Sequence, residues 1–181
     1  MDPQQRCLLH ACAELQMGQG VDASVFVGIS LCDFDIATHM FRIPMGSYTA
    51  TGTGSGHSVA SGRLSFVYDL GGACASVDTA CSSSLTALFM AMRTGGTLAA
   101  AFGVNLMLLP ENVRRFSVVG MTSRSGRCHT FDAAADGYTR AEACCAASMR
   151  RVGDDAISSY CGATGPGATS LVELSGASLM Q

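Results

Sequence analysis

The stretch Ser76-Val77-Asp78-Thr79-Ala80-Cys81-Ser82-Ser83-Ser84-Leu85 carries a cysteine from a strand to the start of a helix. Residues Ser76 to Ala80 have the pattern of a short strand, and Leu85 to Met92 form an apolar run that predicts a helix. Because that run is apolar almost all round, we expect the helix to be buried. Cys81 is therefore predicted to lie where a strand delivers it directly to a helix N-terminus.

A cysteine in that position has physical advantages as a nucleophile. The first N–H groups of a helix lack partners within it, and together with the helix dipole they stabilise a thiolate. The same groups can hold the oxyanion that forms when a thioester carbonyl is attacked. Ser82, Ser83 and Ser84 are small, so they leave the sulfur accessible and can satisfy neighbouring donors. Spacing alone leaves a second interpretation open, in which Cys81 is a small buried hydrophobic residue like the eight other cysteines.

The segments on either side of this stretch alternate between helical and strand patterns, which predicts an α/β domain. A glycine-rich turn from Thr51 to His57 precedes the second predicted helix. The region from Cys32 to Tyr48 gives no clear pattern, and the tail from Cys161 to Gln181 has little. Helices are predicted at Gln4–Leu15 and Ser58–Phe66, and further buried strands at Val25–Ile29 and Val104–Leu109.

Composition excludes several classes of protein. Hydrophobic residues make up 48% of the 181 residues and charged residues 14%, so the chain can bury a core and does not resemble a disordered protein. The formal charge is −3, and no run of basic residues exceeds two. Nucleic acid is therefore not expected as a partner, because such binding needs a clustered positive field.

The sequence predicts a cytoplasmic protein with reduced thiols and no membrane partner. Residues Met1 to Arg6 lack a signal pattern, and the longest apolar stretch, Thr97–Pro110, is too short to cross a bilayer. The nine cysteines are irregularly spaced, which argues against a disulfide scaffold. No histidine or cysteine pair has metal-ligand spacing, so no metal site is expected.

The residues around Cys81 closely resemble the nucleophile motif of ketosynthase (β-ketoacyl synthase) domains in modular polyketide synthases. Residues 1–152 resemble the amino-terminal part of such a domain, and residues 153–181 form a weakly matching, small-residue tail. Further segments match the family in the same order along the chain: Met1–Arg6, Val25–Ile29, Thr51–Thr53, His57–Ser65, Gly103–Met107, Gly126–Cys128 and Thr130–Tyr138.

This resemblance implies a thiolase-like fold, layered α/β/α and incomplete here, with only the nucleophile-bearing half. It implies that Cys81 accepts an acyl group from the phosphopantetheine of an acyl carrier protein and shares the oxyanion role through its backbone N–H. Decarboxylative Claisen condensation with a malonyl-type extender would follow, in polyketide or fatty acid biosynthesis. The partners would be the acyl carrier protein and the acyl and malonyl thioesters. The family is usually homodimeric, and no bound cofactor of its own is implied.

The chain also departs from the family pattern. The family uses two histidines and a lysine at the extender, and the positions that hold them follow the last residue of this chain, which contains no lysine. We therefore expect acylation at Cys81 to be possible and condensation by this chain alone to be incomplete. The connection from Leu85 to Gly103 is about four residues short, roughly one helical turn. Ala141 and Ala143 replace glycines and would be strained if those positions need a positive φ.

Two rival functions remain open. The chain could be a non-catalytic, truncated remnant of a ketosynthase that acts as an interaction or structural piece. It could also be a cysteine hydrolase that pairs Cys81 with His57, although the resemblance makes His57 a structural loop residue. The carboxylates Asp132, Asp136 and Glu142 are expected to serve turns and to pair with Arg127 or Arg140.

Overall fold

The structure is a computed structural model, and it describes residues 1–31, 33–41, 52–152, 156–163 and 169–175. Helices and strands alternate along the first two thirds of the chain, as predicted. A single 3₁₀ turn, Ala80–Ser82, precedes the fourth helix. The elements are α1 (Pro3–Glu14), β1 (Ala23–Ile29), α2 (Asp33–Met40), α3 (His57–Tyr68), β2 (Cys74–Val77), α4 (Ser83–Arg93), β3 (Leu98–Asn105), α5 (Pro110–Val118), β4 (Ala143–Val152), β5 (Ala156–Ala163) and β6 (Thr169–Ser175).

The strands form one mixed sheet in the order β2-β1-β3-β4-β5-β6. β1 lies parallel to both β2 and β3, and each parallel step is connected through helices, as parallel pairing requires. β4 then runs antiparallel to β3, with Gly103 opposite Cys145 and Asn105 opposite Ala143. The carboxyl ends of β1, β2 and β3 therefore lie at the same edge as the start of β4.

Helices cover both faces of this sheet, which confirms the expected layered α/β/α arrangement. On one face, α1 and α3 pack Leu8 and Leu64 against alternate residues of β1 such as Val25 and Val27. On the other face, α4 packs Ala87 and Ala91 against the intervening strand residues, which include Phe26. Both faces of β1 are buried, which explains its continuous apolar sequence.

Helix α4 is less buried than its apolar sequence predicted. Ser83, Ala87 and Ala91 face the sheet, but Leu85 is 66% exposed and Phe89 is 49% exposed. The prediction of a helix buried all round is therefore wrong for the described residues, because one face packs on the sheet and no described element covers the opposite face.

Three other predictions of element bounds differ from the structure. The strand predicted at Val104–Leu109 is wrong in its bounds, because β3 spans Leu98–Asn105. β2 ends at Val77 and not at Ala80, since the residues after Val77 turn into the 3₁₀ helix. The tail, which showed little pattern, contributes β5 and β6, which extend the sheet by antiparallel pairing. Strands in a sheet are specified by their neighbours as much as by their own sequence, so a small-residue strand gives a weak local signal.

A buried carboxylate positions the loop after β3. Asp33, at the start of α2, is 1% exposed and accepts hydrogen bonds from the backbone N–H groups of Leu108 (3.0 Å) and Leu109 (3.1 Å). The side chain of Asn112 on α5 donates to the same carboxylate. The region of Cys32 to Tyr48 that gave no clear pattern thus contains a helix that anchors α5 through one buried acid.

Candidate active site

Cys81 lies in a strained turn between β2 and α4. Ala80, the residue before it, has a φ of +55°, in the left-handed region that non-glycine residues seldom adopt. The side chain of Asp78 accepts a hydrogen bond from the Ala80 N–H at 2.9 Å, and Cys81 itself is exposed. Backbone strain of this kind clusters at functional sites.

The serines around Cys81 stabilise this turn. The hydroxyl of Ser83 accepts from the Thr79 N–H (2.9 Å) and donates to the Ala80 carbonyl (2.7 Å). The hydroxyl of Ser82 donates to the Thr79 carbonyl at 2.8 Å. The prediction that the serines satisfy neighbouring donors is therefore confirmed for Ser83, whereas the Ser82 hydroxyl itself donates to acceptors of Thr79.

Two glycines allow α4 to approach the sheet closely beneath Cys81. A Cβ at Gly28 of β1 would come within 2.5 Å of the backbone carbon of Ser83, and one at Gly103 of β3 would come within 2.6 Å of the Ser84 Cβ. Real Cβ atoms do not make such contacts. The glycines are therefore required for the N-terminus of α4 to lie at the carboxyl ends of β1 and β3.

A cavity of about 460 Å³ opens beside the thiol. It occupies the crevice outside the carboxyl ends of the parallel strands, where open α/β sheets commonly bind ligands. Its lining is mostly apolar or small, and it contains two thiols, those of Cys81 and Cys145. Among the described lining residues, Arg140 is the one with a charged side chain. The residues that line the cavity are Gly28, Ile29, Ser30, Leu31, Ala80, Cys81, Ser83, Ser84, Gly103, Val104, Asn105, Phe116, Met121, Tyr138, Arg140, Ala141, Ala143 and Cys145.

Arg140 is held between two aromatic side chains at this cavity. Its guanidinium carbon lies 4.4 Å from the centroid of the Phe116 ring, and its Nη1 donates to the Tyr138 hydroxyl at 3.5 Å. No sequence pattern indicates a role in binding for Arg140, and neither Phe116 nor Cys145 belongs to a predicted site. The antiparallel β3–β4 pairing brings Arg140 and Cys145 to the cavity, and that pairing has no local sequence signal.

His57 does not line this cavity, although it contacts Leu31, which does. Its Nε2 lies 3.2 Å from the carbonyl oxygen of Leu31, which also accepts from the Gln4 side chain at 2.9 Å. His57 is not among the described residues that line the cavity of Cys81. The geometry supports the structural interpretation of His57 and does not favour the hydrolase.

The carboxylates that resembled a cluster serve the backbone. Asp136 accepts from the Arg124 N–H at 3.0 Å, and hydrogen bonds from Ser123 and Arg124 lower its pKa. Asp132 accepts from the Ala134 N–H at 2.8 Å. The expected turn chemistry is therefore confirmed, and the expected pairing with Arg127 or Arg140 is wrong within the described chain, where the one ion pair found is His39–Asp35.

The carboxylate of Glu142 accepts from the Met107 N–H at 2.7 Å, so it also bonds the backbone. Ala141 and Ala143 have no positive φ, so the strain expected at these former glycine positions is absent.

The other cysteines are not uniformly buried, contrary to expectation. Cys12 is buried and Cys144 half-buried, and burial raises the pKa of these thiols to about 11 and about 12. Cys74, Cys128 and Cys145 are exposed. Exposure alone therefore does not distinguish Cys81 from the other cysteines. Its strained turn, together with its position in the lining of the cavity, distinguishes it.

None of the helices within the described part of the chain is long and apolar enough to cross a membrane.

Comparison with known proteins identifies the family. The profile described as "Beta-ketoacyl synthase, N-terminal domain" matches residues 1–154. A mycocerosic acid synthase-like polyketide synthase of Mycolicibacterium smegmatis is 37% identical over 87% of this chain. The polyketide synthase component of the compactin nonaketide synthase of Penicillium citrinum is 40% identical over 83%. The chain spans only 8% and 5% of the lengths of these two relatives.

Solved ketosynthases have the same fold over the matched region. A ketosynthase domain for oxazolomycin from Streptomyces albus superimposes with a TM-score of 0.68 and 30% identity, covering 87% of this chain and 31% of that domain. The ketosynthase from module 6 of the Bacillus subtilis bacillaene synthase gives 0.64 and 25%, covering 84% and 27%. The fold is thus the thiolase-like α/β/α fold of ketosynthases, and the chain belongs to the β-ketoacyl synthase family, whose amino-terminal domain it matches over residues 1–154.

Proposed function

We propose that this chain carries the acyl-accepting part of a polyketide ketosynthase, with Cys81 as the nucleophile. The observation that supports this most directly is the position of the exposed Cys81 thiol, on a strained turn at the mouth of a cavity of about 460 Å³. The cavity's mostly apolar lining suits an acyl chain. The N-terminus of α4 directly follows the turn, and the positive end of its helix dipole suits a developing oxyanion.

The proposed step is a transfer of an acyl group between two sulfur atoms. The Cys81 thiolate attacks the carbonyl carbon of an acyl thioester, and the carbonyl electrons move onto oxygen to form a tetrahedral oxyanion. When that intermediate collapses, the bond to the departing sulfur breaks and the donor leaves as a thiolate. The departing thiolate takes up one proton, which balances the proton that Cys81 lost in forming its thiolate. The products are an acylated Cys81 and a free thiol on the donor, and no electrons are gained or lost overall.

We propose the identity of the acyl donor and the later condensation step from the membership of the family. The donor would be the phosphopantetheine arm of an acyl carrier protein, and a malonyl-type extender would then lose carbon dioxide and attack the acylated cysteine. Solved ketosynthases are more than three times as long as the part that this chain covers. We therefore assign acylation to the chain and condensation, together with homodimer formation, to a whole ketosynthase.

Acylation can be tested by intact-mass spectrometry after incubation with an acyl N-acetylcysteamine thioester. We expect one acyl adduct, mapped to Cys81 by peptide analysis and lost in Cys81→Ser. Cys145→Ser tests the second thiol of the same cavity and should keep the adduct. Cys128→Ser is the matched control, because Cys128 is equally exposed but does not line the cavity.

The other outcomes select the rival functions. A folded protein that gains no adduct would support the non-catalytic remnant. Continuous release of the acyl group as free acid, abolished by His57→Ala, would support the hydrolase. An adduct on Cys145 that survives Cys81→Ser would move the nucleophile to β4 and contradict the proposal.

A further inference from the structure

The cavity beside Cys81 contains a guanidinium without a charged partner. Arg140 is the described lining residue that has a charged side chain, and no carboxylate of the described chain lies within 4.0 Å of it. Glu142, the acid nearest to it in sequence, accepts from the Met107 N–H at 2.7 Å. A cation with no carboxylate beside it attracts an anion, and its half-buried position reduces the screening by water.

The guanidinium also keeps one donor unused. Its Nε is buried and has no hydrogen-bond partner among the described residues. Nη1 faces the Tyr138 hydroxyl, at a distance of 3.5 Å that makes this bond weak. The edge formed by Nε and Nη2 is one that can bind a carboxylate or phosphate through two parallel hydrogen bonds. An unpartnered buried donor is uncommon in native structures, and a ligand that accepts from it removes the cost.

The ring of Phe116 fixes the plane of the guanidinium. The guanidinium carbon lies 4.4 Å from the ring centroid, a distance at which the ring face attracts a cation. A guanidinium stacked in this way loses little further freedom when a ligand binds. The site is therefore pre-organised.

We propose that Arg140 binds the anionic group of the thioester substrate in the cavity that Cys81 shares, a proposal that rests on the proposed function. Two sources have the required chemistry: the carboxylate of a malonyl-type extender and the phosphate of a phosphopantetheine arm. Both groups, the planar carboxylate and the tetrahedral phosphate, carry oxygens that can accept two parallel hydrogen bonds from a guanidinium. A neutral acyl thioester without a phosphate has no such group.

The first test compares alkylation of Cys81 by iodoacetate, which is anionic, and by iodoacetamide, which is neutral. Arg140 should favour the anion, so Arg140→Gln should lower the iodoacetate-to-iodoacetamide rate ratio at Cys81 by about tenfold. Arg140→Lys keeps the positive charge but cannot form two parallel hydrogen bonds, so it should lower this rate ratio less. The ratio at Cys74, an exposed thiol at the opposite end of β2 from Cys81, should not change. The Cys81 ratio should also stay the same in the exposed-arginine control Arg127→Gln.

This test does not depend on turnover. If Cys81 accepts no acyl group but the ratio falls in Arg140→Gln, the proposed function fails and the anion site stands. If acylation occurs but the ratio is the same in wild type and a folded Arg140→Gln, the anion site is overturned. If Arg140→Gln does not fold, two other variants replace it. Arg140→Lys keeps the positive charge, and Phe116→Leu removes the ring beside it, and each should lower the ratio. An unchanged ratio in both variants overturns the anion site.

The second test distinguishes the two sources by protection of Cys81 from iodoacetamide. Malonyl N-acetylcysteamine provides a carboxylate and no phosphate, whereas phosphopantetheine provides a phosphate and no carboxylate. Acetyl N-acetylcysteamine is the neutral control. We expect one of the two anionic probes to protect Cys81 at least about fivefold less in Arg140→Gln than in wild type, and that probe identifies the source. If every probe protects Cys81 equally in both proteins, the proposal is contradicted.

Discussion

Gly103 on β3 lies directly against Ser84 on α4: a Cβ at position 103 would come within 2.6 Å of the Ser84 Cβ. Gly28 on β1 makes the same kind of approach to the backbone at Ser83. The absence of two side chains thus sets how closely the nucleophile helix packs on the sheet.

Replacing Gly103 by alanine should therefore destabilise the fold. Because α4 must move away from β3 to admit the new methyl group, we expect Gly103→Ala to lower the free energy of unfolding by about 1–3 kcal/mol. The control is Gly62→Ala within α3, where no atom lies within 4 Å of the added Cβ. That change should raise stability by about 0.5–1 kcal/mol, since alanine is the better helix former. Urea denaturation measures both, and equal stabilities for the two variants would contradict the packing argument.

The left-handed turn at Ala80 predicts an unusual response to glycine. A left-handed non-glycine residue costs about 1–2 kcal/mol, which glycine avoids at an entropic cost of about 0.5–1 kcal/mol. Ala80→Gly should thus leave stability unchanged or raise it by up to about 1 kcal/mol, whereas Ala80→Val should destabilise the fold because a β-branched residue fits this region poorly. Thermal or urea unfolding of the pair is the measurement. A destabilised Ala80→Gly beside a neutral Ala80→Val would show that the turn is not left-handed.

Asp33 is expected to contribute to stability through its charge. Its carboxylate accepts from two backbone N–H groups and from Asn112, and Asp33→Asn replaces one acceptor oxygen by a donor that faces those donors. We expect a loss of about 1–3 kcal/mol. The matched control is Asp22→Asn, which removes the same charge from an exposed side chain and should change stability by less than about 0.5 kcal/mol. Equal losses in the two variants would indicate a general charge effect.

Two buried thiols predict a loss of stability at alkaline pH. Burial raises the pKa of Cys12 from 9.0 to about 11 and that of Cys144 from 9.0 to about 12. Above pH 9 the unfolded chain therefore releases these protons while the folded chain keeps them, so the free energy of unfolding should fall as the pH rises from 9 towards 11. Below pH 9 these two thiols should have no effect on the pH dependence.

The measurement is urea denaturation across that pH range. The double variant Cys12→Ala, Cys144→Ala should be less stable at pH 8, because it removes buried atoms, but its stability should fall less steeply above pH 9. Cys74→Ala, at an exposed position, is the control and should keep the wild-type slope. An unchanged slope in the double variant would mean that other groups govern the alkaline transition.

Local patterns predicted helix α1 and strand β1 well, and they failed where neighbours decide the structure. Helix α1 and strand β1 lie close to their predicted bounds, because their periodicity and turn residues are local. β5 and β6 were not predicted, since small-residue strands depend on the strand beside them. The outer face of α4 is apolar, and an apolar sequence predicts burial. The sequence does not show which element would cover that face.

The sequence by itself determined the family, the alternation of helices and strands, and the candidate nucleophile, Cys81. Each of these depends on residues that are close together along the chain. Only the tertiary structure decided that Arg140 and Cys145 share the cavity with Cys81, and that His57 does not line it. The physical reason is that the cavity forms where the ends of β1, β2 and β3 meet the start of β4, and hydrogen-bond pairing between strands distant in sequence sets that meeting point.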